Sequence, residues 1–436
     1  MNKRYEYLLY LAYLGAVLWL CFTDRSNFEL IPVYAILSTL YCILVLQIKS
    51  LRTILIVGLL ARVILFFNEP LLSDDYYRFY WDAQMHAKGV SPYQYKPSEA
   101  IEKEVTKNFK VFNKLNSKDY YSIYPGLNQS IYYAAYFLSK GDLKYFVFFL
   151  RVFQLMAEVF LVYWLASLLS LIDRKLRPIA WYLLNPLVLI EITGNIHFEV
   201  YMAAGICGLM YYLYKKKYIH AIMGLSLAVG AKLIPLMFLP LIWRHLGFIK
   251  GLLFSSVVFF LATLMLLMYM DLYQLDHFFE SCRLYYQTFE FNASIFYVVR
   301  AIGLEIYGWD IIQNAGPVLT FIATACILFI SLYIKRSFIS MVGSLYWILF
   351  IHLLFSTTIH PWYIIPLLPL SIILQYKSAL VWSIVVFLSY AAYKDGYVRE
   401  EPLIIVFEYA LVIFFLLLDL KIIKHQFKPK LLKPRK

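Results

Sequence analysis

The sequence predicts an all-α polytopic membrane protein, and three observations carry that expectation. Hydrophobic residues make up 62% of the 436 and charged residues 15%, against roughly 45–50% and about 25% in a soluble domain. Residues 5–22, 254–270 and 318–334 are continuously apolar with at most one charge, at about the length a helix needs to cross a bilayer. Similar runs recur along the chain, enough for roughly a dozen membrane helices. A membrane barrel would instead show segments of about ten residues alternating apolar and polar.

The order of elements follows from the basic clusters, which mark the cytoplasmic side. With Lys3 and Arg4 inside, 5–22 goes out and 29–48 returns to Lys49 and Arg52. The first run is too long for a signal-peptide core and lacks a small-residue cleavage site, so it is expected to remain as a helix. Residues 51–67 exit, and 69–144 form a first large extracytoplasmic loop before 145–172 returns to the 173–177 cluster. Then 178–193 exits and 198–214 returns to Lys215, Lys216 and Lys217. The 218–243 run is too short for two comfortable spans and is expected as a hairpin entered from inside, bent near Pro235 and Pro240. Residues 252–270 lead to a second outer loop, 271–315; 317–334, 339–358, 362–375, 379–393 and 402–420 complete the crossings. A basic tail, 421–436, ends inside, so the whole chain reads as one transmembrane domain.

The net charge of +13 therefore needs no nucleic acid. It belongs to turns and a tail that face anionic lipid. The five cysteines, Cys21, Cys42, Cys207, Cys282 and Cys326, have no metal-type spacing and no evident pairing. The histidines are scattered, no metal site is expected, and no Gly-rich phosphate loop is present.

The first outer loop opens on Ser73, Asp74, Asp75, Tyr76, Tyr77, Arg78, Phe79, Tyr80, Trp81 and Asp82, three carboxylates and a guanidinium among aromatics at the membrane boundary. Desolvated charge there is costly unless paired or used. Arg78 and Asp82 stand at helical i,i+4 spacing and could pair, while the aromatics could form an interfacial belt. Gly89 and Pro92 break the chain next, and Ile101, Val105, Phe109 and Phe112 recur at helical spacing, which predicts an amphipathic helix on the outer surface. Arg151 and Glu158 share a face of one membrane helix and are expected to pair, with a donor-phosphate contact as the alternative for Arg151.

The Asp74–Asp82 run, followed by Gly89, Ser91-Pro92-Tyr93 and Tyr124-Pro125, resembles the first-loop signature of bacterial GT-C-fold mannosyltransferases that use polyprenyl-phosphate sugars. Trp181, Asn185-Pro186, Glu191 and the 194–199 segment resemble the family's second motif region. Lys232 with Pro235 and Pro240, Phe291-Asn292-Ala293-Ser294 and His360-Pro361-Trp362-Tyr363 resemble later ones. In a more distant resemblance, to the eukaryotic first mannosyltransferase of glycosylphosphatidylinositol assembly, the first motif aspartate falls on Asp74 and the second on Tyr76. That departure leaves the base open between Asp74 and Asp75.

The resemblance implies a GT-C-type glycosyltransferase that moves one hexose, mannose, from a polyprenyl-phosphate donor to a glycan, glycolipid or protein-linked acceptor. The reaction would take place at the outer, periplasmic face of the inner membrane, without a cofactor or metal. Such transfer needs a base for the acceptor hydroxyl, Asp74 or Asp75, and groups that meet the charge on the leaving phosphate, for which Arg78, His197 and His360 are the candidates. Asp82, Tyr93, Tyr124, Asn195, Glu199, Trp362 and Tyr363 are expected to contact substrate. The resemblance also invites a phosphate role for Lys232, although the charge rule places it nearer the inside than the outer loops. A lipid-linked-glycan flippase or an oligosaccharide ligase would share the helix-rich architecture. A flippase would carry its charges near the midplane, in repeated broken helices, whereas the acidic residues here concentrate in one outer loop.

Overall fold

The computed structural model describes residues 3–26, 30–70, 72–333, 337–394 and 397–426. The apolar runs fold as helices, since backbone in lipid can satisfy its N–H and C=O groups only within itself. α1 (Lys3–Leu20) packs on α2 (Leu30–Gln47) and α3 (Leu51–Phe66), and Ser50 caps α3 by accepting the Thr53 N–H at 3.3 Å. The first loop folds into α4 (Asp75–Ala87), α5 (Pro97–Glu102), α6 (Phe109–Phe112) and α7 (Gly126–Leu138). α8 (Leu143–Leu171) is followed by two short helices, α9 (Ala180–Leu183) and α10 (Pro186–Val188), a π turn at Leu189–Gly194, and α11 (Glu199–Tyr214). Next come α12 (Tyr218–Ala231), a 3-10 turn at Ile234–Phe238, α13 (Leu239–Leu246) and α14 (Phe248–Leu267).

The second loop holds α15 (Leu275–Gln287) and α16 (Ile295–Tyr307), before α17 (Ile312–Tyr333) and α18 (Phe338–Phe355). The chain ends in α19 (Leu367–Leu374), α20 (Ser378–Val385) and α21 (Pro402–Gln426), with one two-residue antiparallel ladder pairing 393–394 with 397–398. Among the described residues six helices are long and apolar enough to cross a membrane, α2, α8, α14, α17, α18 and α21, and the Pro186–Gly194 and Glu199–Tyr214 pair adds a seventh, broken span. The protein is an all-α polytopic membrane protein. The 427–436 part of the basic tail and the Lys335-Arg336 turn lie outside the described residues.

Several expected crossings take a different form. Residues 178–193 and 198–214 are not two straight helices; the chain bends by 115° between the π turn and α11. Asn185 accepts the Leu187 N–H at 3.0 Å and Pro186 has no N–H to continue a preceding helix, so the run breaks there. α17 starts at Ile312, five residues before Pro317, because Asp310 accepts the Ile312 N–H at 2.9 Å. The amphipathic helix expected on the outer surface is two short helices; Phe112 turns onto α4, its ring 6.0 Å from that of Trp81, while Phe109 is exposed. The 361–374 and 378–392 runs are short, and each contains a 3-10 segment. That form rises about 2.0 Å per residue against about 1.5 Å in an α-helix, so 378–392 reaches about 26 Å of the roughly 30 Å hydrocarbon core.

The 218–243 run does turn back on itself, but the tip of its hairpin lies at the end of the bundle that carries the two large loops. Gly230, near the end of α12, packs against Met265, near the end of α14, and against Leu127 of α7. Asn128 of α7 donates to the Ala231 carbonyl at 3.1 Å. The return through α13 brings the Trp243 indole N–H to Ser255 Oγ, 2.6 Å away near the start of α14. Lys232 therefore sits beside the first loop, which corrects the expectation that it lies nearer the basic face.

Candidate active site

The site forms where α4, the π turn, the α12 tip and the 356–363 turn meet. α4 begins at the acidic pair, with Asp74 as its N-cap residue and Asp75 in its first turn, where the helix dipole favours negative charge. Tyr76, Phe79, Tyr80 and Ala83 bury one face of α4, and the Phe79 ring stacks on Tyr132 of α7 at 4.6 Å. That packing fixes the direction of the two carboxylates.

Asp74 and Asp75 meet different surroundings. Asp74 forms an ion pair with Arg25, from the polar turn after α1, and the Arg25 guanidinium lies 5.2 Å over the Tyr393 ring. Asp75 accepts one hydrogen bond, from Asn116 Nδ2 to Oδ1 at 2.9 Å. Burial raises the Asp75 pKa and the Asn116 bond works against that; the Asp74 charge adds to the rise, while Lys232 and Arg25 offset part of it. Asp75 is within electrostatic reach of Lys232, Glu191, Glu199 and Tyr393.

The π turn holds the second group. Its geometry leaves carbonyls without helical partners, and Arg151 takes them up. Nε donates to Thr193 O at 2.7 Å, Nη2 to Gly194 O at 2.8 Å, and Nη1 to the carbonyls of Phe66 and Asn68 at 2.8 and 2.5 Å. The expected Arg151–Glu158 pair is absent for that reason. Glu158 instead pairs with Arg62 of α3 at 2.5 and 2.6 Å. After the turn Ile196 adopts φ 66°. Asn195 Nδ2 and Tyr390 OH then donate to the two Glu191 oxygens at 3.0 and 2.9 Å, with His197 Nε2 3.4 Å from the same carboxylate. A crevice lined by Cys21, Asn68, Glu69, Arg151 and Asn195 opens behind this turn.

Lys232 joins the two groups. It leaves α12 with an extended backbone (φ −150°, ψ 141°) and forms an ion pair with Glu199, the first residue of α11. Its ammonium lies 4.2 Å over the Tyr363 ring. The Glu199 side chain is 2% exposed and that of Lys232 is 25% exposed, so the pair is closed at Glu199 and partly open along Lys232. The aromatic wall is continuous: His197 stacks on Trp362 at 3.6 Å, Trp362 on His360 at 4.5 Å, and His360 on Phe291 at 5.1 Å. Burial and the Lys232 charge push the His360 pKa down to about 3, so its imidazole is neutral and the positive charge in the cluster comes from Lys232 and Arg25.

Arg78, Asp82, Tyr93 and Tyr124 lie apart from this surface, inside the loop's own framework. Arg78 donates to Asp82 at 2.8 Å and to the carbonyls of Ser117 and Tyr120 at 3.1 and 2.9 Å. Asp82 also accepts from Ser122 and Gln129 at 2.5 and 3.0 Å and is fully buried. The helical Arg78–Asp82 pairing is thus realised, with Nη2 of Arg78 buried and without a hydrogen-bond partner among the described residues. Buried Tyr93 donates to the Tyr124 carbonyl. The residues missed from sequence are Arg25 and Asn116, in polar turns that look like plain connections, and Tyr390 and Tyr393 at the end of a membrane run. Among the described residues no group of three or more His, Cys, Asp or Glu side chains is arranged to hold a metal ion.

Residues 30–246, close to half the chain, match the family model of the alpha-(1->6)-mannopyranosyltransferase N-terminal domain. No curated protein and no solved structure matches the chain. The matched span holds Asp74, Asp75, Asn195, His197, Glu199 and Lys232, while His360, Trp362 and Tyr363 lie beyond it.

Proposed function

The chain belongs, through residues 30–246, to a family of mannosyltransferases, and from that premise we propose that it transfers a single mannosyl group from a polyprenyl-phosphate donor to a glycan, glycolipid or protein-linked acceptor at the outer face of the membrane. The observation that carries this reading is a base and a cation within electrostatic reach of each other, Asp75 and Lys232, with Asp74 held separately by Arg25. Asp75 is the general base. It takes the proton of the acceptor hydroxyl as that oxygen bonds to the anomeric carbon. The bond from that carbon to the phosphate oxygen breaks, and its electron pair leaves with the polyprenyl phosphate. The charge that builds on the phosphate falls to Lys232, whose ammonium has donors left beyond the Glu199 pair, with neutral His197 and His360 imidazoles as further hydrogen-bonding groups. Trp362, stacked on His197 and His360, and Tyr363, under the Lys232 ammonium, form the aromatic wall beside which the sugar is held. Asn195 fixes the π turn.

The raised pKa of Asp75 suits the role, since a carboxylate with a higher pKa is a stronger base. The test is transfer of radiolabelled mannose from a polyprenyl-phosphate donor by membranes that contain wild type, Asp75→Asn or Asp74→Asn. Asp75→Asn is expected to lose about 100-fold or more and Asp74→Asn much less. Full transfer by Asp75→Asn would remove the base assignment. An inactive wild type with this donor, but an active one with a nucleotide sugar, would remove the donor assignment.

A further inference from the structure

We propose that the groove between the C-terminal halves of α8 and α11 binds the phosphate headgroup of an anionic phospholipid. Tyr163, Ala166, Ser167, Ser170 and Leu171 of α8 and Tyr211 of α11 line it with Lys215, just past the end of α11, as an open surface groove of about 420 Å³. Four hydroxyls and one ammonium converge there on an apolar floor. Among the described residues the side chains of Ser167, Ser170 and Lys215 have no hydrogen-bond partner. A serine in a membrane helix ordinarily bonds back to a carbonyl one turn earlier, so these two hydroxyls are available to a ligand.

Position selects the class of ligand. The groove lies where α8 ends at Leu171 and α11 at Tyr214, with the charged turns beginning immediately beyond. Arg174, Lys175, Arg177, Lys215, Lys216 and Lys217 stand in those two turns against the single acid Asp173. Apolar side chains beside the groove are open to the bilayer, with Val159 61%, Phe160 54% and Tyr163 57% exposed. Headgroup phosphates sit at this level, and basic pockets between membrane helices are where anionic headgroups bind. Beside the groove the Trp164 ring packs on Gly208, where a Cβ would meet it at 3.3 Å, and the Tyr163 and Tyr211 rings lie 6.5 Å apart. The acyl chains would run along Phe160 and Val159, which a free phosphate could not use.

The full chain in nanodiscs of equal phosphatidylglycerol and phosphatidylcholine, released and weighed intact, reports which lipid stays bound. Wild type is expected to retain phosphatidylglycerol preferentially, and Lys215→Ala to lower that retention by about fivefold. Ser167→Leu with Ser170→Leu, which fills the groove, is expected to abolish it, while Lys216→Ala, outside the lining, is expected to retain it. Equal retention of both lipids by wild type, or unchanged retention in Lys215→Ala, would overturn the site. Displacement of the lipid by inorganic phosphate would reassign the groove to free phosphate and overturn the lipid assignment. The exposed Lys215 substitution keeps the test readable even if the double leucine variant does not fold.

Discussion

Asp74 and Asp75 differ by one position and by everything around them, and that difference has a measurable consequence. Asn116 donates to Asp75 and so favours its ionised form, opposing the rise that burial imposes. Removing that donor in Asn116→Ala raises the Asp75 pKa further. Because the base must be ionised to accept a proton, the acidic limb of the kcat/KM profile should move to higher pH. A limb that stays in place would assign it to another group. Lys232 poses the complementary question, because Glu199 is buried and depends on it for charge compensation. Lys232→Met should lower stability by about 3–5 kcal/mol, the usual effect of leaving a buried charge unpaired, and should abolish transfer. Adding Glu199→Gln should restore thermal stability in detergent without restoring transfer. If transfer returned with stability, Lys232 would be a structural cation and the phosphate would need another partner.

At the level of elements, the site depends on how closely α12 approaches α11. A Cβ at Gly205 would stand 2.5 Å from the Gly224 carbonyl and 2.7 Å from the Ala228 nitrogen, so the two backbones touch and no larger residue fits. Gly205→Val should push α12 away, lower stability by about 1–3 kcal/mol and shift Lys232 at its tip. Both a lower melting temperature and a loss of transfer are expected, and an unchanged melting temperature would argue against the close crossing. This crossing also shows what hydropathy can and cannot deliver. The helices α2, α8, α14, α17, α18 and α21 are legible because each is a long run with one apolar solution. The 218–243 run is not, since two short helices and a shallow re-entrant loop have the same apolar composition, and only packing against Met265 and Leu127 decides between them. The π turn at Leu189–Gly194 leaves no sequence period at all, because it is held by tertiary donors from Arg151. Arg78 and Asp82 were legible as a pair through their spacing, whereas Arg25 became part of the site only when α1 and α4 met.

For the whole molecule, the two ends of the bundle are chemically distinct, and the proposed mechanism requires that they face different compartments. The Lys215, Lys216 and Lys217 turn lies at the start of α12, and α12 rises about 21 Å over its 14 residues to Lys232. The two large loops close over that far end. Ser91 donates to the Tyr269 carbonyl at 2.8 Å, and His277 lies 2.9 Å from the Tyr93 carbonyl and stacks on Tyr121 at 4.0 Å. Glu102, on the exposed end of α5, belongs to this cap. The cap also carries Lys103, Lys107, Lys110 and Lys114, but they lie in a loop longer than about 60 residues, which crosses a membrane largely regardless of its charge, whereas the 215–217 run sits in a short turn at two helix ends, where basic residues orient a chain. In a background with the five native cysteines replaced, Glu102→Cys should therefore react with an impermeant maleimide added to intact cells, and Lys216→Cys only after permeabilisation. Reaction at both positions from outside would contradict the separation of the two ends and with it the fold. A reversed pattern would leave the fold standing and turn the molecule over, placing Asp75 and Lys232 on the cytoplasmic face and removing the outer-face reaction.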